Sequence, residues 1–371
     1  MGAFDVAVVG GGIVGAAFAW AWARRGLSVV IVDAGPGEFS ATRGTFGNIT
    51  VQGKGFGMPA YACWTERSSQ LWPELAGVLR EETGVDIGFH RPGFLHCCVG
   101  DDALEARRAL VERVQAEDSP AGSDLTMLDA VEARALVPGL GPAVSGGSYC
   151  PRDAQCNPLR LWRALRAGYL ARGGVLLPGR RVTGVRPEGD GYRIDTDGGV
   201  LDAGRVLIAA GLGMPPLAAQ LGIPLPLYPL RGEILATAKL APMLTVALNG
   251  VRQTEEGTVL IGQSSEKAGY DEGTNLPVTA GEAANAVTLL PALAGARLVR
   301  AWGSLRVMTP DKLPVYAEAN EHRGVFAVTC HSGVTLCAAH ALDLADRLLD
   351  DGVPSELYPF TATRFHVSEA A

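Results

Sequence analysis

Phe4-Asp5-Val6-Ala7-Val8-Val9-Gly10-Gly11-Gly12-Ile13-Val14-Gly15 opens a stretch that runs on to Val29-Val30-Ile31-Val32-Asp33. A β-branched run, three glycines, a long apolar run, Gly26 and a second β-branched run predict strand, tight turn, helix and strand. Gly10 permits the turn, Gly12 lets a pyrophosphate approach the backbone, and Gly15 lets the helix pack close on the strand. The helix start at Ile13 and Val14 turns free N–H groups and a positive dipole end towards phosphates. Asp33 stands 23 residues after Gly10, where a carboxylate can accept hydrogen bonds from a ribose. Residues 6–23 hold 18 positions without a charge, the length of a membrane span. Three consecutive glycines interrupt that run, no basic segment precedes it, and a strand with an acid end follows. The stretch therefore reads as a dinucleotide-binding βαβ unit rather than a membrane anchor.

The chain has 371 residues, enough for two sizeable cores or one domain with a second inserted. Hydrophobic residues make up 47% and charged residues 19%, which excludes a disordered chain. A net charge of -7 argues against nucleic acid as a partner, because no basic excess is available to neutralise phosphates. No later segment reads as a transmembrane helix. Without a signal peptide the cytoplasm is the expected location, with any membrane association made through partners. The seven cysteines are odd in number and form no CxxC pair, so buried, reduced thiols are expected. No metal site is expected, and redox chemistry would need an organic cofactor.

A turn at residues 34–37 leads into a Gly-rich polar loop, residues 39–48, able to wrap a cofactor through Ala34, Thr42, Arg43, Gly44 and Asn48. Helices are expected at 65–83, 101–115 and 128–136. Asn157 and Pro158 form a cap and first position for a helix to Arg172. A strand at 175–177 and a hairpin of 181–186 with 192–196 follow. Residues 205–211 read as a buried parallel strand, whose small end at Ala210 and Gly211 admits a cofactor. Residues 227–279 alternate strands and turns like an antiparallel sheet, with a helix at 280–290. A strand at 298–306 carries Arg306. A strand at 325–329 enters Cys330-His331-Ser332-Gly333-Val334-Thr335 and a helix at 334–349, whose start can hold a developing negative charge. The tail from Pro354 reads as a docked extension. The expected fold is α/β (α+β overall), a Rossmann-like cofactor domain with an antiparallel-sheet substrate domain. The first is discontinuous, residues 1–90 with 145–225 and 300–371; the second is 91–144 with 226–299.

The glycine turn with Asp33, Ala209-Ala210-Gly211, Leu305-Arg306…Pro310 and His331-Ser332-Gly333 resemble the FAD-dependent D-amino acid oxidase superfamily over most of the chain. More narrowly, residues 42–55, 305–311 and 329–336 resemble the β subunits of opine oxidases and D-hydroxyproline dehydrogenases. The resemblance implies an antiparallel sheet roofing a flavin. It implies oxidation of the C–N bond of an amino or imino acid by hydride transfer to flavin N5, giving an imine. Cofactor contact then extends to Val182, Gly303, Ser332, Gly333, Val334 and Thr335. Sarcosine-oxidase-like relatives attach FAD through a cysteine a few residues before the Thr-Pro-Asp string, a neighbourhood that here holds Ser304 and no cysteine, and other relatives use a histidine that residues 39–48 lack. FAD is therefore expected to be non-covalent.

Arg306 is the expected substrate anchor, because a guanidinium fork matches a carboxylate in two-point fashion and keeps its charge. Arg252, Tyr270 and His331 are further candidates, His331 as a flavin-lining residue rather than a base. Hydride transfer from a neutral amine needs no dedicated base. Three functions are compatible with these residues: a dehydrogenase subunit that passes electrons to partner subunits, a stand-alone glycine- or sarcosine-type oxidase using oxygen, and a non-catalytic FAD-binding protein.

Overall fold

The structure is a computed structural model and describes residues 4–35 and 40–365. Pro36, Gly37 and Phe39 of the expected turn and loop lie outside the described residues. Strand Phe4–Val9 stands at the centre of the first sheet. It pairs in parallel with Val29–Asp33 on one side and Gly199–Ile208 on the other. Val175–Pro178 and His322–Thr329 extend the sheet in parallel, and Val315–Ala319 closes one edge antiparallel. Side chains alternate between two cores. Val6, Val8, Val29 and Ile31 enter one, while Ala7, Val9, Val30 and Val32 enter the other. Both faces are covered, which is why these strands read as unbroken apolar runs.

The helix Ile13–Arg24 lies in the first of these cores. Phe18, Ala19, Trp20 and Trp22 have no exposed surface. Its charge-free run is thus explained by burial against the helices Pro158–Ala171 and Pro59–Thr83 and the C-terminal helical segment. Trp22 donates to Ala345 O at 2.8 Å and Trp20 to Glu82 at 3.0 Å, so both buried indole N–H groups are satisfied. No helix among the described residues is long and apolar enough to cross a membrane.

The second sheet orders Leu298–Met308, Tyr228–Lys239, Thr258–Ile261, Val251–Gln253, Ala247–Leu248, Phe94–Val99, Val144–Cys150 and Thr126–Asp129. It is antiparallel except where Ala247–Leu248 meets Phe94–Val99. Residues 145–150 and 300–308, which the expected boundaries give to the cofactor unit, lie in strands of this second sheet that pair with Phe94–Val99 and Tyr228–Lys239. The C-terminal helix also differs from the expected 334–349. Residues 331–336 are turns, and Cys337–Ala339 leads into a π-helical turn, His340–Leu344, before Ala345–Asp350. There His340, fully buried and pushed down to about 3 by that burial, stacks on Phe18 and pairs through Nε2 with Tyr316 OH at 2.8 Å. Cys63 is exposed, against expectation, because it falls on the outer side of Pro59–Thr83; the other six cysteines are buried and all seven are free.

Asn157 caps Pro158–Ala171 by accepting from Leu159 N–H and Arg160 N–H, each at 3.1 Å. Asn157→Ala should lower unfolding free energy by about 1 kcal/mol, measured as an earlier urea midpoint with unchanged slope.

Candidate cofactor and substrate site

The glycine turn joins the two central strands to the helix, and its geometry requires glycine. Gly10 has φ +102°, and a Cβ there would come within 2.6 Å of Ala209 O. A Cβ on Gly15 would lie 1.9 Å from Gly10 O, so the helix touches the turn backbone to backbone. Side chains from three other segments gather on this turn. Asp33 accepts from Gly11 N–H at 2.7 Å and from Gly35 N–H at 2.9 Å. Thr42 Oγ1 accepts from Ile13 N–H at 3.0 Å. Trp162 donates to Gly11 O at 2.7 Å.

A cavity of about 480 Å³ begins at this turn. One end is walled by Asp33, Ala34, Arg166, Arg180, Arg181 and Val182. The middle is bounded by Gly10, Gly12, Ile13, Val14, Thr42 and Arg43 on one side and Ala210 and Gly211 on the other. The far end is lined by Tyr270, Leu305, Val307, Thr329, Cys330, His331, Gly333 and Val334. A bare backbone turn at a helix start, an acid at one end and an apolar wall at the other fit a nucleotide carrying a flat ring system. Among the described residues, those facing the cavity suit FAD: the turn for the pyrophosphate, the Asp33 end for the adenosine, the His331 end for the flavin ring.

Six of the expected cofactor residues stand behind this wall. Gly15 packs on Gly10, and a Cβ on Gly44 would lie 1.9 Å from Ser304 Oγ. Gly303 presses on the carbonyls of Glu272 and Gly273, 2.6 and 2.5 Å from its would-be Cβ. Asn48 pairs with Gln155 in a short two-stranded sheet, and its side-chain oxygen is buried without a partner. Ser332 turns its hydroxyl away to Lys54 and Tyr61, and the Thr335 hydroxyl accepts from Thr50 N–H at 3.4 Å.

The edge strand Leu298–Met308 lines the far end with Leu305 and Val307, and the even-numbered face of the second sheet lies against the loop beside it. Register places Arg252 beside Leu260, Leu260 beside Ala236 and Ala236 beside Arg300, on the same face as Ser304 and Arg306. Ser304 touches Gly44, and the Arg252 guanidinium lies 5.9 Å from the Phe46 ring centre, so this face meets the loop that lines the cavity. Arg306 lies flat over Gly232, whose would-be Cβ is 2.6 Å from Cζ. It donates to Ser264 O at 2.9 Å and Arg231 O at 3.2 Å. Burial lowers its affinity for its proton, and the charge of Glu282 opposes that. Arg252 is 5% exposed and is held by Gln155 Oε1 and Cys156 O, both at 3.2 Å, while its Nε has no partner. His331 is pushed down to about 3 by burial and by the charges of Lys54 and Arg306. Tyr270 lies at the cavity mouth, 53% exposed.

Sequence reasoning missed Trp162, Arg166 and Arg180. Arg180 and Arg181 follow a strand that ends beside Asp33 at the same sheet edge, a usable signal. Trp162 and Arg166, which stack at 4.5 Å, carried none. The loop after Asn48 was also missed. Asp153, with no exposed surface, accepts from Val51 N–H at 2.6 Å, Gln52 N–H at 3.3 Å and Gln52 Nε2 at 2.8 Å.

The FAD dependent oxidoreductase family (DAO) matches residues 5–347. This chain belongs to that family. It is 34% identical over 366 residues to an opine oxidase subunit of Agrobacterium tumefaciens, with 99% of each chain covered. It is 30% identical over 373 residues to the glycine oxidase of Geobacillus kaustophilus, covering 97% of each. The crystal structure of glycine oxidase from Geobacillus kaustophilus superposes with a TM-score of 0.91 at 29% identity, over 99% of this chain and 100% of the other. The chain is thus an FAD-dependent oxidoreductase of amino-acid-type substrates, with a cofactor domain and an antiparallel roof.

With no cysteine in residues 298–310, acid precipitation should release all the flavin into the supernatant. Gly12→Val, which places a branched side chain on the pyrophosphate wall, should abolish flavin retention while circular dichroism stays unchanged. A second expectation concerns Asp153, whose carboxyl burial pushes up to about 6 despite its hydrogen bonds. The folded state then holds this proton more tightly than the unfolded chain, whose pKa is about 3.9. The group's stabilisation is full below that value and is lost as pH rises through about 6. In urea titrations, the advantage of wild type over Asp153→Asn should shrink across that interval and stay level above it.

Proposed function

We propose that this chain oxidises the C–N bond of an amino or imino acid, of D-hydroxyproline, opine or D-amino acid type, as the flavin-bearing component of a dehydrogenase complex. The observation that carries the substrate reading is Arg306. Its guanidinium is mostly buried beside the far end of the cavity, donates to two carbonyls, and has no ion-pair partner among the described residues. A substrate carboxylate supplies that partner, and two parallel N–H···O bonds orient the α-carbon towards the ring end. FAD, when bound, supplies the acceptor for the α-hydrogen and its electron pair. The roof sheet keeps water away from that carbon. His331 stays neutral at physiological pH, so it shapes the wall without moving a proton. An amine that enters neutral loses only hydride, which removes the need for a base.

The reading as one component of a complex is supported by the full-length likeness to an opine oxidase subunit. The likeness to glycine oxidase, with its TM-score of 0.91, favours a second reading, a stand-alone oxidase using oxygen.

Arg306→Lys keeps charge but loses the fork, with about 1.5–3 kcal/mol of charge-assisted bonding at stake. It should lower kcat/KM for flavin reduction about a hundredfold in anaerobic stopped-flow measurements. If Arg306→Ala bleaches the flavin as fast as wild type at low substrate, Arg306 is not the anchor. For the acceptor, an artificial dye should sustain turnover of the isolated chain while oxygen sustains little. Rapid peroxide release by the isolated chain would promote the oxidase reading instead.

A further inference from the structure

Lys54 sits between Gly53 and Gly55, whose φ values of +73° and +75° bend the chain on both sides of it. This bend is held from several directions. Asp153 gathers Val51 and Gln52 beneath it. Thr50 N–H reaches Thr335 Oγ1 at 3.4 Å, tying the loop to the turn that follows His331. A Cβ on Gly55 would lie 2.3 Å from Ala62 N, so the loop is pressed on the helix Pro59–Thr83. Lys54 is therefore placed by the fold, not left to sample the surface.

Its Nζ donates to Ser332 Oγ, which also accepts from Tyr61 OH at 3.0 Å. Ser332 is 7% exposed and Tyr61 6%, and Lys54 itself is half-buried. Among the described residues Lys54 has no ion-pair partner. A hydroxyl anchors the ammonium without neutralising it, so its field reaches the neighbouring groups. Those neighbours are Cys330 and His331, which both feel this charge and both line the far end of the cavity. With the pyrophosphate at the glycine turn and the adenosine at Asp33, that end is where the ring lies.

We propose that Lys54 is an electrostatic positioning residue for the flavin: its ammonium, seated on Ser332 behind Cys330 and His331, stabilises negative charge on the ring and so makes it a stronger electron acceptor. The idea holds whichever amine is the substrate and does not depend on the chain acting within a complex. Its test needs no amine.

The probe is sulfite, whose sulfur lone pair forms an S–N bond to the oxidised ring and leaves one negative charge on it, with no external oxidant or reductant. FAD-loaded Lys54→Met should bind sulfite about tenfold more weakly than wild type, read as loss of the bleaching that sulfite causes. Its two-electron midpoint potential should fall by about 30 mV, the equivalent of that tenfold change. Lys54→Arg should return both quantities to within about threefold of wild type, because charge rather than shape is required. Lys54→Gln, which keeps a donor for Ser332 but no charge, should match Lys54→Met and decides the matter if the methionine variant loses FAD. Unchanged sulfite affinity and potential in the uncharged variants would overturn the proposal. So would an arginine variant that falls as far as they do, since that marks a packing role.

Discussion

The contact between Gly15 and the carbonyl of Gly10 sets the geometry of everything around it. Because no side chain intervenes, the helix Ile13–Arg24 starts directly at the edge of the central strand. Its first turn then borders the cavity, with the Ile13 N–H held by Thr42, and its large side chains, Phe18, Trp20 and Trp22, are driven into the core behind the sheet. A one-carbon addition at either glycine would push the helix off the strand. It would open the nucleotide end of the cavity and unpack the core at the same time. Cofactor binding and fold stability therefore share one constraint.

The second organising element is the segment from Thr42 to Gly55, which threads between the two sheets. Its first part contacts the glycine turn through Thr42, its middle touches the roof where Gly44 meets Ser304 and Phe46 meets Arg252, and its end carries Lys54 to Ser332. It has only two residues of regular strand, Asn48–Ile49. Side-chain anchors from other segments hold it, above all the fully buried Asp153. A burial that costs a carboxylate this much is tolerated because three N–H donors converge on it.

Periodicity and glycine spacing are local properties, and what was legible in the sequence follows that limit. Residues 4–33 announce a nucleotide fold because the glycine spacing and both β-branched runs lie within thirty residues, and Gly15 answers to Gly10 only five positions away. Sheet membership is not local. Val144–Cys150 contains Gly146 and Gly147, and a Cβ on Gly147 would lie 2.2 Å from His96 O, in a strand about fifty residues earlier. Nothing in its own residues says which sheet it joins. Arg306 could be singled out because an arginine at the end of an apolar strand is conspicuous, and motif resemblance gave it a role. Trp162 and Lys54 could not, since one reaches the site across the helix packing and the other across a loop whose course is set by Asp153. The first cavity-lining segment, read as a loop, became specific only once both sheets were in place.

The cations on the two sides of the second sheet are held in different ways. Arg231, on the strand beside Arg306, is 5% exposed and is matched by Glu266 at 3.1 Å and by Asp271. Arg152 is matched by Glu66 and Asp124. At these two positions carboxylates offset the cost of taking a charge out of water. On the even-numbered face of the roof, and at Lys54 on the loop, the acceptors are neutral. Arg306 is given two carbonyls, Arg252 a side-chain amide and a carbonyl with one N–H left over, and Lys54 a hydroxyl. Neutral acceptors of this kind fix direction without cancelling charge, which leaves the positive potential available inside a low-dielectric space. Glu282, the carboxylate whose field reaches Arg306, accepts from Gln263 N–H at 3.0 Å and forms no ion pair with the guanidinium. Under the proposed function, the anions that complete this arrangement are not built into the fold. One arrives with the substrate as its carboxylate, and the other develops on the ring as the electrons arrive.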